Sequence, residues 1–428
     1  LEIDRYPRLT DYAAWRKGTT WKEWNAGGHK YTESSDPEAC GGFYTKDDMR
    51  EIIDYAAARH INVIPEIEMP SHSEEVTAAY PELSCTHNPD GVSDFCPGNE
   101  KTFEFLENVL DEVIDLFPSE YINIGGDEAP KNNWKTCELC TRRMQTEGLE
   151  NVDQLQSYLV HRIERYLNSK GRKLIGWDEI MDGGLAPNAM VLSWRGVEGG
   201  IEAASAGHKA VMAPGRYCYF DSYQDAPYSQ PEAIGGYLPL ETVYSFDPAP
   251  ASLADTVAAN ITGVEGTLFA EYISTPGHAE HMLYPRMTAL AEVAWTPQHL
   301  RGDYPDFRRR ARSLNNRLKQ EGYNVFDLDN EIGNREEALS VTEHLGKGKR
   351  VEYVLDWWGR YPAAGAATLT DGIRGGWNYS DQRWQGFVNR GDNRVDVIID
   401  MEKVETVKSI GADFMQILGP GVLFPSKV

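Results

Sequence analysis

Ten residues constrain this chain more than any other stretch: Tyr121-Ile122-Asn123-Ile124-Gly125-Gly126-Asp127-Glu128-Ala129-Pro130. Ile122 and Ile124 alternate as in a buried strand. Gly125 and Gly126 break that pattern and let the backbone come close to a neighbour or a ligand. Pro130 cannot donate to a sheet ladder, so the strand stops there. Two adjacent carboxylates, Asp127 and Glu128, therefore stand just past the C-terminal end of a strand, where α/β barrels keep their chemistry. A solvated acidic turn is the plain alternative, since Asp178-Glu179 is a second such pair in the same chain.

Around this stretch two periods alternate. Thr45 is placed to cap a helix in which Met49, Ile52, Ile53, Ala56 and Ala57 make one apolar face. Ile61–Ile67 reads as a buried strand, with Glu66, Glu68, Pro70 and His72 at its end. A helix after Thr102, with Phe103, Leu106, Leu110, Val113 and Phe117 on its face, leads into the strand at 121–124. Leu155, Tyr158, Leu159, Ile163, Tyr166 and Leu167 line the next helix, and Leu174–Trp177 is the next strand. Met190–Trp194, Ala210–Met212 and Ile261–Phe269 are further strands. A short helix over Ile201–Ala206, a long loop through Tyr217–Pro250 and a helix over about 279–295 complete the series. Such alternation implies parallel strands with helices outside. The strand ends carry Glu68, Asp127, Asp178, Arg195 and Glu271, as in a TIM barrel. An open doubly wound sheet is the structural rival, but no glycine-rich phosphate loop follows the first strand. The strands number six rather than eight, with the deficit at the start. Residues 1–44, turn-rich and holding Trp15, Trp21 and Trp24, read as a long surface excursion.

From about 329 to 350 the pattern dissolves into polar runs that suit a linker. In 351–428, Val351–Leu355, Val395–Ile399 and Val404–Ile410 alternate with period two, as in a small all-β module. With 428 residues, 41% of them hydrophobic, the chain has enough apolar surface for two domains. Its Lys+Arg 42 against Asp+Glu 66 gives a net charge of -24, which repels phosphate backbones and argues against nucleic acid as a partner. No apolar run approaches the roughly 18 residues of a membrane helix. The sequence opens at Leu1 with no signal-peptide pattern, so a processed or cut N-terminus is expected. Cys137-Glu138-Leu139-Cys140 has metal-ligand spacing, but no second Cys or His pair stands nearby in sequence to complete a zinc site. Cys85 and Cys96 flank a Gly/Asp/Asn loop and either close a short disulfide or stay free, depending on compartment.

Asn123-Ile124-Gly125-Gly126-Asp127-Glu128 resembles the catalytic motif of family-20 glycoside hydrolases, the β-N-acetylhexosaminidases. The resemblance continues, in the family's order, through Pro65-Glu66-Ile67-Glu68-Met69-Pro70-Ser71-His72, Gly176-Trp177-Asp178, Ser193-Trp194-Arg195, Tyr219-Phe220-Asp221 and Leu268-Phe269-Ala270-Glu271-Tyr272. It covers roughly residues 1–328. It implies an α/β fold, a (β/α)8 TIM barrel whose first strands are absent from this chain. The implied activity is exo-acting: terminal β-linked N-acetylhexosamine leaves a glycan by a retaining, substrate-assisted route, outside the cytoplasm and without metal or cofactor. The choice between GlcNAc and GalNAc, and the oligomeric state, stay open.

The resemblance also implies roles. Glu128 is the general acid, protonating the leaving oxygen and later activating water. Asp127 holds and polarises the substrate's 2-acetamido group, whose carbonyl oxygen attacks the anomeric carbon. His72 stands behind the acid. Trp177 and Trp194 wall the sugar pocket, Phe269 adds an aromatic surface, Tyr219 hydrogen-bonds the acetamido oxygen, and Asp221 and Glu271 bind sugar hydroxyls. The residue types agree. Ordinary glycosidases hold two carboxyl groups across the sugar, about 5–5.5 Å apart when retaining and about 6.5–9.5 Å when inverting, and sequence neighbours do not easily straddle a ring. Aromatic faces stack on sugar C–H surfaces and carboxylates grip hydroxyls.

Four departures from the family pattern stand out. Asn123 replaces an expected His, Phe269 an expected Trp with Ala270 after it in place of Thr, and Ser71 an expected Gly. No segment matches the family's first two strands, which carry a sugar-binding Arg and an Asp, so the chain is expected to be a fragment of a longer protein. The C-terminal module resembles the first part of a discoidin-like carbohydrate-binding β-sandwich through Leu369-Thr370-Asp371-Gly372-Ile373-Arg374-Gly375, Trp384-Gln385-Gly386-Phe387 and Ile398-Ile399-Asp400. Two rival readings remain at this point. One is a metal-dependent barrel holding Mg²⁺ on Glu66, Glu68, Asp127 and Glu128. The other is a non-catalytic sugar-binding protein on a glycosidase scaffold.

Overall fold

The structure, a computed structural model, describes residues 1–332, 344–388, 394–417, 421–423 and 425. The first 44 residues are not a bare loop. They hold an antiparallel pair, β1 (Trp15–Lys17) and β2 (Ala39–Gly41), and a helix at Trp21–Ala26 begun by a Thr20–Glu23 capping box. Trp24 is buried and stacks on His29 with ring centroids 4.2 Å apart.

The centre is a parallel sheet of β3 (Tyr121–Asn123), β4 (Lys173–Trp177), β5 (Met190–Ser193), β6 (Ala210–Met212) and β7 (Ile261–Val264), in that order. Successive side chains point to opposite faces. Ile122, Ile124 and Leu174 point to a core shared with Phe103, Leu106, Leu110 and Val113 of the helix Glu100–Leu116, and with Leu159, Ile163 and Leu167 of Val152–Ser169. Ile175, Trp177, Leu192 and Ala213 gather in a separate cluster. Burying one such Ile or Leu contributes about 1.5–3 kcal/mol, so the two helical faces fix the register of the strands between them. Parallel strands alternating with helices give the α/β architecture of a TIM barrel.

Four expectations need correction. Ile61–Ile67 is not a continuous buried strand. Ile61 and Ile64 are exposed, and only the end of the segment pairs with β3: Glu66 bridges Asn123, and the N–H groups of Ile67 and Met69 donate to the Asn123 and Ile124 carbonyls at 2.9 and 3.0 Å. No strand lies on its outer side among the described residues, so nothing there demands extended pairing. The helix expected over 279–295 is two helices, Pro276–Leu283 and Arg286–Trp295, because Pro285 lacks an N–H and cannot sit inside a helix. Within Tyr217–Pro250, a helix forms at Leu240–Tyr244. The helix Lys46–Ala57 has the expected Thr45 cap, but it buries Ile53 and Ala56 while Ile52 is exposed.

Further along the chain, β8 (Arg350–Tyr353) pairs antiparallel with β9 (Val397–Asp400). The expected strand at 404–410 is not formed, and Val404 and Ile410 are exposed. Most of the expected linker, 333–343, lies outside the described residues, as does part of Val395–Ile399's approach at 389–393. No helix of the described residues is long and apolar enough to cross a membrane.

Candidate active site

Beyond β3 the chain turns sharply. Gly125 and Gly126 both have positive φ, 65° and 96°, and so does Glu128 at 49°. Asn123, at the position where His was expected, directs its side chain into this turn: its Oδ1 accepts from the Gly125 N–H at 3.0 Å. A Cβ on Gly125 would run into the Glu68 carboxylate, and one on Gly126 would meet Ile180 Cγ2 at 2.5 Å. The two glycines are therefore required twice, by conformation and by space. The turn delivers Asp127 half-buried and Glu128 exposed on the rim.

His72, also at positive φ, lies between them. Its Nε2 is 3.3 Å from Asp127 Oδ2 and 3.4 Å from Glu128 Oε2. The hydrogen bond to Asp127 raises the imidazole pKa above its usual value against the effect of burial. Two carboxylates served by one ring nitrogen sit side by side rather than across a sugar. Deeper in, Glu66 stays exposed while Glu68 beside it is half-buried. Burial, then the charges of Asp127 and Glu66, push the Glu68 pKa up, and Glu66 Oε1 accepts from the Trp177 indole at 2.9 Å.

The remaining candidates line up along the strand ends. Trp177 is nearly fully buried, whereas Trp194 is half-buried and its indole donates to Glu179 Oε2 at 2.8 Å. Burial pushes the Glu179 pKa up to about 7. Asp178 is buried and accepts from Arg195 Nε at 2.8 Å. Trp194 stacks on Tyr219 at 6.1 Å, and Tyr219 meets Phe269 edge-on at 5.7 Å. The three rings form a continuous apolar wall. Burial, then the charges of Asp127 and Asp221, raise the Tyr219 phenol, so it remains a hydrogen-bond donor. Asp221 is buried and pushed up to about 6, first by burial and then by Glu271, which is close enough to be felt. The structure thus brings Asp127, Glu128 and His72 into one cluster, with Trp194, Tyr219 and Phe269 as a wall beside it. Asp221 and Glu271 stand near enough for their like charges to repel.

Some acceptors in this cleft have no partner. Asp127 Oδ1, Asp221 Oδ1 and Glu68 Oε2 are buried without a hydrogen bond among the described residues. A buried carboxylate oxygen left unpaired is costly, and a ligand rich in O–H and N–H groups would satisfy it. Among the described residues two groups bring three or more metal-ligating atoms within 4.8 Å of one another: His72-Asp127-Glu128, and Cys85-Cys96-Cys137-Cys140. Glu66 and Glu68 do not join the first, so the four-carboxylate Mg²⁺ nest of the rival reading is not assembled.

One contributor was not read from the sequence. Arg286 is fully buried and donates to the carbonyls of Phe220 (2.5 Å), Ser222 (2.9 Å), Leu238 (3.1 Å) and Met282 (3.1 and 2.7 Å). It holds the loop that presents Asp221. Its signal was available, an arginine opening the largely apolar helix Arg286–Trp295, but it carried no motif. The four cysteines were the other omission. Distance along the chain concealed that Cys85 and Cys96 are the second pair beside Cys137 and Cys140, and no two of them are disulfide-bonded.

Comparison with known proteins points to one family. The sequence profile described as glycosyl hydrolase family 20, catalytic domain, matches residues 1–298. A beta-hexosaminidase of Porphyromonas gingivalis is 42% identical over 353 residues, covering 80% of this chain and 43% of that protein. The exo-β-N-acetylglucosaminidase of Vibrio harveyi, solved with N-acetylglucosamine, superposes with a TM-score of 0.66 at 30% identity, covering 76% of this chain and 52% of that one. A β-N-acetylhexosaminidase from Bacteroides fragilis gives 0.62 at 31% identity, covering 76% and 63%. The chain thus spans about half the length of the relatives it matches. It belongs to glycosyl hydrolase family 20.

Proposed function

We propose that this chain carries the catalytic centre of an exo-acting β-N-acetylhexosaminidase that works by a retaining, substrate-assisted route. The observation that carries this reading is the placement of Asp127 and Glu128 side by side on His72, with Asp127 Oδ1 buried and unpartnered. Family-20 enzymes are an exception to the two-carboxylate scheme, and this geometry suits the exception. Asp127 receives the acetamido N–H and steadies the positive charge that develops as its carbonyl oxygen attacks. Glu128, exposed on the rim, reaches the leaving oxygen. Tyr219 donates to the acetamido oxygen, the wall of Trp194, Tyr219 and Phe269 takes the sugar's apolar face, and Trp177 backs the pocket through Glu66. Asp221 and Glu271 accept from hydroxyls. The GlcNAc-bound relative from Vibrio harveyi supports a glycan ending in an N-acetylhexosamine as substrate.

The domain division belongs to the same reading: catalytic region 1–328, linker 329–350, and a discoidin-like module in 351–428. The antiparallel β8–β9 pair supports an all-β module. Trp384 packs against Gly375 and donates to the Gly376 carbonyl at 2.7 Å, and Trp377 packs edge-on to Tyr237 at 4.6 Å, so both indoles act as packing groups there. A glycan-directed enzyme with such a module fits a location outside the cytoplasm.

The test is a pair of aryl glycosides that differ only at C2. The purified protein is expected to hydrolyse the β-N-acetylglucosaminide and leave the plain β-glucoside essentially untouched. Comparable kcat/KM for both, or a trapped covalent glycosyl-enzyme, overturns the substrate-assisted reading.

A further inference from the structure

The four cysteines of the second cluster come from three separate pieces of chain. Cys85 follows the short turn Pro81–Leu83, Cys96 lies in the loop before the helix Glu100–Leu116, and Cys137 and Cys140 sit at the cap and in the first turn of the helix Glu138–Glu147. Their sulfurs all lie within 4.8 Å of one another. Cys85 to Cys140 and Cys96 to Cys140 are 3.6 Å, and Cys96 to Cys137 is 3.7 Å. A disulfide requires about 2.05 Å. Four thiolates bound tetrahedrally at about 2.3 Å from one zinc ion stand about 3.8 Å apart. The observed spacing matches the edge of that tetrahedron.

The surroundings are shaped to the same end. Cys96 and Cys140 are buried, and the cluster is walled by Trp134 and Leu155. The Gly98 N–H donates to the Cys96 sulfur. A Cβ on Gly98 would collide with the backbone of Leu139 and Cys140, so only glycine lets the two loops close this tightly. The positive end of the helix Glu138–Glu147 faces the sulfurs it carries.

We propose that Cys85, Cys96, Cys137 and Cys140 form a tetrathiolate site for a structural zinc ion, which ties together the two loops that carry His72 and Glu128. On binding, the thiols release their protons to solvent and four Zn–S bonds form, with no change of oxidation state. Each loop has a mechanical link to the cluster. Next to Cys96, the Phe95 N–H donates to the Pro70 carbonyl at 2.8 Å, and the Ser73 N–H donates to Ser93 at 3.1 Å, so His72 is held between them. On the other side Ala129, the residue after Glu128, packs against the cluster, and the Trp134 indole donates to the Phe95 carbonyl at 2.9 Å.

The experiment is metal analysis of the full chain purified without chelators, by plasma mass spectrometry, with Cys140→Ser and Cys40→Ser variants. About one zinc per chain is expected in the parent and in Cys40→Ser, and a fall to background in Cys140→Ser. The chain loaded with cobalt(II) is expected to show thiolate-to-metal charge-transfer absorption and the d–d bands of a tetrahedral ion. That spectrum reads the site in the parent itself, should Cys140→Ser fail to fold. The proposal is overturned by a zinc-free parent with its cysteines free or paired as disulfides on mass mapping. It is equally overturned by cobalt bound without sulfur charge transfer, which would place the ion on His72-Asp127-Glu128.

Discussion

At the residue scale the site turns on one imidazole. His72 holds Asp127 and Glu128 together, and the hydrogen bond with Asp127 raises its pKa above the 6.5 of a free histidine. A base whose folded pKa is raised adds stability that is fully present below its unfolded pKa and is lost as pH climbs through the folded one. The side chain is 46% exposed, so the contribution is less than about 1 kcal/mol. The thermal midpoint of the parent is expected to exceed that of His72→Gln by a small margin near pH 6. The margin should shrink toward pH 9. A margin that stays constant, or widens on the alkaline side, contradicts the ion-pair account.

At the scale of elements, β3 and its turn were legible, because alternation followed by two glycines and a proline leaves few alternatives. The helices Glu100–Leu116 and Val152–Ser169 were legible as well, since their apolar faces repeat over four turns or more. What could not be read was set by contacts distant in sequence. Whether Ile61 is covered depends on what lies across the sheet edge, not on Ile61. Arg286 and the four cysteines acquire meaning only when loops meet. The turn itself makes a prediction. Gly126 and Gly207 have similar φ, 96° and 93°, but a Cβ at 126 meets Ile180 and one at 207 meets nothing within 4 Å. Ala at either position incurs backbone strain of about 1–3 kcal/mol. Only Gly126→Ala should lose more than that, and lose turnover with it. Equal urea midpoints for the two variants would show that Ile180 yields without cost.

At the scale of the whole molecule, an apolar strip runs along the sheet's first edge. Phe43, Tyr44, Ile52, Tyr55, Ile61 and Ile64 are all exposed there. An apolar patch beside an unpaired strand edge promotes association, even in a chain carrying a net charge of -24. Light scattering during size exclusion is expected to show mass rising with concentration for the 428-residue chain, and less so for the Tyr55→Lys/Ile61→Lys double variant. A strictly monomeric parent across the concentration range would mean that this edge is inert.

The central claim concerns how the two neighbouring carboxylates divide the work. In the proposed mechanism, Glu128→Gln removes proton donation to the leaving oxygen, a contribution of about 10²–10⁴-fold in rate. In the same mechanism, Asp127→Asn removes the negative charge that steadies the cyclised intermediate, whose positive charge develops whichever group departs. Kinetics of both variants on a natural glycan and on an aryl glycoside with a good leaving group therefore test the account most directly. Glu128→Gln should be severely impaired on the glycan and far less on the aryl substrate, while Asp127→Asn should be impaired alike on both. The same leaving-group dependence in the two variants would contradict it.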